Sequence, residues 1–212
     1  MPKLKVLLLT ACLLVAPFCY STGTTERHLL EQCISYEDLR TAIRYGQSWV
    51  DYPGYADRKA WEERVAPEMK EIIIRNGEKA LTHIWKPDLA SDYLAFKRTG
   101  EIRTGRANHR ALQALTLAEL VEGKGRFMDA IIDGTWFLCE TSWIHSAHLG
   151  FQKDRSGLPD RNEPTIELVV ADIGAQMAWT YYFLKDEFDK VSPLINQRIV
   201  EEVTKNLITP YF

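Results

Sequence analysis

The chain lacks most of the short motifs that announce a chemistry. It has no G-x-S-x-G elbow for an activated serine, and neither a G-x-G-x-x-G run nor a P-loop for a nucleotide. Cysteine is scarce. Of four cysteines in 212 residues, only Cys33 and Cys139 lie beyond Ser21. Two cysteines without paired spacing fit no zinc-finger pattern. Their separation in sequence does not decide between a bridge and two buried thiols. Basic charge is also short. Removing Lys3 and Lys5 with a leader leaves 24 basic residues against 29 acidic ones, a net charge of −5. That is a poor footprint for nucleic acid. No repeat, low-complexity tract or alternating strand pattern is visible. Hydrophobic residues make up 46% and charged residues 26%, so a globular core is expected rather than disorder.

The one uninterrupted apolar run lies at the start. Lys3 and Lys5 precede "VLLLTACLLVAPF", Val6 to Phe18, with small residues at Cys19 and Ser21. The run is too short and wrongly flanked for a membrane span and reads as an export signal cleaved near Ser21. A second reading is "LTAC", Leu9 to Cys12, which resembles a lipoprotein cleavage box. Either way the chain is exported, to the periplasm or cell surface, with residues 1–21 as leader and 22–212 as the mature domain.

Almost every later segment has helical spacing. Ser35 caps "SYEDLRTAIRYG", with Asp38 three residues on. Pro67 divides the helical pattern from Ala60 to Trp85 or begins its second half. From Asn108 to Glu122, the polar residues Arg110, Gln113, Thr116, Glu119 and Glu122 recur every third position. That row drifts around an α-helix, so this helix should be packed on more than one side. A Gly-Lys-Gly turn leads into "GRFMDAIIDGTWFLC". After a polar connection, "TIELVVADIGAQMAWTYYFL" carries only Glu167 and Asp172 as charges and should be buried, with Asp172, Gln176 and Thr180 on one seam. Ser192 and Pro193 open the last helix. Short turns between helices predict an all-α fold of antiparallel helix hairpins packed side by side.

Two clusters carry candidate chemistry. "CETSWIHSAHLG" places Glu140, Trp143, His145 and His148 within nine residues. A zinc pair would need further ligands, and no HExxH or carboxylate–histidine pattern supplies them. The other readings are a packed helix end and a polar cluster facing a cleft, where Trp143 offers a stacking face and the imidazoles donate hydrogen bonds or move protons. The second cluster, "YGQSWVDYPGYADRKAW", includes Trp49, Tyr52 and Tyr55 around Pro53-Gly54. Aromatic faces with polar rims suit sugar rings, and they equally suit a loop packed on a core. Arg106, Arg110 and Arg126 can neutralise a carboxylate, or lie as solvated or salt-bridged surface arginines. A buried Asp172 would have to be paired or protonated.

The order of these segments resembles the heparinase II/III-like family of bacterial exported proteins. The likeness runs from about Gln47 onward. It rests on the E-x-x-G-R-F run Glu122–Phe127, the S-W-x-x-x-A-H run Ser142–His148, and "FDKVSPLI" from Phe188. The resemblance implies an α/α toroid followed by a β-sandwich, and a polysaccharide lyase that cleaves uronic-acid chains by β-elimination. Such a reaction needs the uronate carboxylate neutralised before the α-proton can leave, then a base and an acid. It implies no cofactor and no metal. Trp143 and His148 match the local motif, Glu140 precedes it, and His145 enters by proximity alone.

The chain is short for that family. The later toroid helices and the sandwich are absent from the resemblance, and lyase relatives take their catalytic groups largely from those parts. Two expectations follow. One is the N-terminal, incomplete toroid of an exported lyase-like protein, with His148 and His145 catalytic and Trp143, Glu140, Trp49, Tyr52 and Tyr55 on an acidic polysaccharide. The other is a non-catalytic helical carbohydrate-binding or structural remnant. The C-terminal aromatics Tyr211 and Phe212 and the apolar helix at 165–184 should then lack part of their burial.

Overall fold

The computed structural model describes residues 32–43 and 50–212, all in helices and connecting segments, with no strand among them. The chain divides into two compact units at Asp51/Tyr52. The first contributes α1 (Tyr36–Ala42). Its predicted capping box is present: the Asp38 amide donates to Ser35 Oγ at 3.1 Å, and the Ser35 amide donates to Asp38 Oδ2 at 3.2 Å. Cys33 is an exposed free thiol and Cys139 a buried one, so the bridge reading is replaced by two thiols. Burial pushes the Cys139 thiol up to about 12, which keeps it unreactive. The leader and Trp49 lie outside the described residues.

The second unit is a helical array. Its elements are α2 (Arg58–Arg64), α3 (Pro67–Ala80), α4 (Ala90–Thr99), α5 (Ala107–Glu122) and α6 (Met128–Glu140). A 3-10 turn (Ser146–Phe151), α7 (Leu168–Val191) and α8 (Pro193–Val203) follow. A π-helical turn (Thr204–Ile208) and a last α turn (Thr209–Tyr211) end the chain. Pro67 begins its helix at N1, and Ser192 caps α8 ahead of Pro193.

α5 is the hub. It packs on α2, α3, α6 and α7. Ala111, Leu112, Leu115, Ala118, Leu120 and Val121 are all buried, as the drifting polar row predicts. Close approach needs a small residue: a Cβ on Gly77 of α3 would overlap Ala118 of α5. The turn into α6 is closed by Gly123 in the left-handed region (φ 66°), a conformation that favours glycine.

One buried acid holds that turn. Glu119, fully buried, accepts from the Tyr55 hydroxyl (2.6 Å), the Gly125 amide (2.7 Å) and the Phe127 amide (3.1 Å). Three donors satisfy a carboxylate that would otherwise be costly to bury.

α7 departs from expectation. Its inner side is buried through Val169, Val170, Ile173, Met177, Thr180, Leu184 and Phe188. Leu168, Ala171, Asp172, Ala175 and Ala178 form an exposed row. Periodicity could not separate these sides, because alanine and leucine are apolar wherever they point. Asp172 is consequently not buried; it pairs with Arg106 at 3.0 Å near the surface. Among the described residues no helix is long and apolar enough to cross a membrane.

Candidate functional site

The motif Ser142–His148 folds back across the start of α7. Trp143 is only 4% exposed, and its indole N–H donates to the Leu138 carbonyl at 2.8 Å. Its ring therefore braces the wall and presents no free stacking face. Ser146 and Thr104, both buried, join at 2.8 Å and tie the 3-10 turn to the segment before α5.

His145 is the N-cap of that turn. Its Nδ1 accepts from the Ala147 amide at 3.3 Å. Burial, then the neighbouring His148, holds its pKa below the ordinary histidine value. One ring nitrogen is thus committed to capping the turn.

His148 is differently placed. Its Nδ1–H donates to Glu167 Oε2. Glu167 is the N-cap of α7, with its side chain 2% exposed. Besides His148 it accepts from the amides of Val169 (2.8 Å), Val170 (3.1 Å) and His145 (3.2 Å). A carboxylate so anchored orients the imidazole and leaves Nε2 with no partner among the described residues. The His145 and Phe151 rings flank it at 5.4 and 6.1 Å.

The other expected residues scatter. Glu140 pairs with Arg198 of α8 at 3.0 Å. Arg126 is held by Glu122 (2.5 Å) and Glu78 (2.8 Å). The Tyr55 hydroxyl is engaged by Glu119, which with burial raises its pKa. Tyr52 alone of the described tyrosines in that cluster is exposed, at the edge of an aromatic cavity with Trp179 and Phe183.

A larger feature was not anticipated. A groove of about 930 Å³ runs between the end of α3, the segment Thr82–Leu89 and the first half of α5. Lys79, Lys86, Arg103 and Arg110 line it, with His83, against the carboxylates of Asp88 and Asp92. Lys79, Lys86 and Arg110 have no ion-pair partner among the described residues. Burial, then Asp92, raises the pKa of Asp88.

The groove wall is pinned. Asn108 of α5 donates to the Lys86 carbonyl at 2.8 Å, and its Oδ1 meets His83 Nε2 at 2.9 Å. Trp85 lies against Gly134 of α6, where a Cβ would overlap its ring. No contiguous sequence signal marks this groove, since its four cations come from four separate segments. Among the described residues no cluster of three metal-ligating side chains occurs. The chain matches no protein-family model, and no curated protein matches it.

Proposed function

We propose that the helical unit binds a uronic-acid-containing polysaccharide, as the N-terminal part of an exported lyase-like protein of the heparinase II/III-like kind. The supporting observation is the cationic groove. A chain that is acidic overall still places four basic side chains around one pinned depression. Repeating carboxylates on a sugar chain meet such a surface as a series of ion pairs. Neutralising a uronate carboxylate is also the first demand of β-elimination. His148, oriented by Glu167, is the proton acceptor within this reading, and needs no metal for that step.

Calorimetry with galacturonate oligomers tests it. Binding should weaken steeply with added salt, because exposed charges are screened. Lys86→Ala and Arg110→Ala should each reduce affinity several-fold. Salt-independent binding, or none, rejects the reading. Appearance of unsaturated uronide absorbance that is lost in His148→Ala, with at most a drop of a few degrees in melting temperature, supports the lyase form. Binding without any product supports a non-catalytic carbohydrate-binding domain.

A further inference from the structure

We infer that the aromatic cavity beside α5 is a sugar-stacking subsite continuous with the cationic groove, so that one oligosaccharide lies along α5 with uronates at Arg110 and a stacked ring beyond Leu117. This deepens the polysaccharide reading and rests on it.

The cavity holds about 310 Å³ and is walled by Tyr52, Trp61, Leu117, Trp179 and Phe183. Trp179 and Phe183 stack at 5.6 Å with an 18° tilt, and Tyr52 meets both edge-on at 5.9 Å. Tyr52 is 47% and Leu117 44% exposed, so the mouth is open. Gln113 and Gln176 stand on its rim. The Gln176 side-chain amide donates to Thr180 Oγ1 at 3.0 Å, and its Oε1 has no donor among the described residues. Apolar faces with a few amides describe a pocket for a pyranose ring, whose C–H face stacks while its hydroxyls bond the rim.

Continuity comes from helix geometry. Arg110 lines the groove, Gln113 and Leu117 line the cavity. Spacings of three and four put all three on one strip of α5. Arg110 and Leu117 are ~10 Å apart along the axis at 1.5 Å per residue, a span that a short oligosaccharide covers. Charge at one end and aromatic faces at the other would select a chain of several units over a lone uronate.

The test is calorimetry of the full chain with galacturonate oligomers from dimer to hexamer. Wild type should gain about five-fold in affinity once the oligomer is long enough to reach the cavity. Tyr52→Ala and the exposed Gln113→Ala should each remove most of that gain and leave dimer binding unchanged. Lys86→Ala should weaken every length alike. If wild type shows no gain with length, or if the cavity variants weaken all lengths equally, the subsite is wrong while the groove stands. If no oligomer binds at any length, the polysaccharide reading fails and the subsite fails with it.

Discussion

Glu167 does several things at once: it caps a 24-residue helix, receives the His145 amide, and orients His148. Replacing it with glutamine puts an amide where backbone N–H groups already point. Glu167→Gln should therefore cost about 2–3 kcal/mol, read from urea unfolding. His148→Ala, at the rim of the same cluster, should cost about 1 kcal/mol or less. Equal losses would mean that the imidazole, not the carboxylate, holds the turn. Histidines also set a pH dependence. His145 and His109 both have folded pKa values below the ordinary one, chiefly through burial. The unfolded chain then takes up protons first. Stability present above about pH 6.5 should decline as the pH drops through the depressed folded values. His145→Asn replaces the capping Nδ1 with an oxygen acceptor that does not titrate and should flatten that decline; an unchanged slope would exclude His145 as a source.

At the level of elements, the close approach of α3 to α5 is the most sensitive contact. Gly77→Ala must push the helices apart and should destabilise by about 1–3 kcal/mol, seen as a lower melting temperature with unchanged helical circular dichroism. Glu119→Ala should cost at least as much, because it strands the buried Phe127 amide and removes the acceptor for Tyr55 and Gly125. The sequence was legible where the chemistry is local. Ser35, Pro67, Ser192 and the glycine turn after α5 act on neighbours within a few residues. It was not legible where partners are distant. Glu167 lies 19 residues from His148, and glutamate is an uncommon N-cap. The groove joins Lys79, Lys86, Arg103 and Arg110 only after α3 docks on α5. Trp143 was left open between a cleft face and a packed helix end, because an aromatic beside two histidines looks alike in either place and burial is a tertiary property.

For the whole molecule, the exposed row on α7 matters most. Leu168 is 70% exposed, and Ala171, Ala175 and Ala178 continue its strip. Tyr211 and Phe212, 75% and 96% exposed, add apolar surface at the end of the chain. Exposed apolar strips promote association. Sedimentation should show self-association that rises with protein concentration and that Leu168→Lys reduces; a monomer at all concentrations would contradict this. The central claim is that the groove along α5 holds an acidic sugar chain. Hydrogen exchange with and without a galacturonate hexamer addresses it most directly. Slowed exchange should appear in the segment 79–89 and the first half of α5, extending to Leu117, and should vanish in Lys86→Ala/Arg110→Ala. Protection confined to other elements, or none at saturating hexamer, would contradict the account.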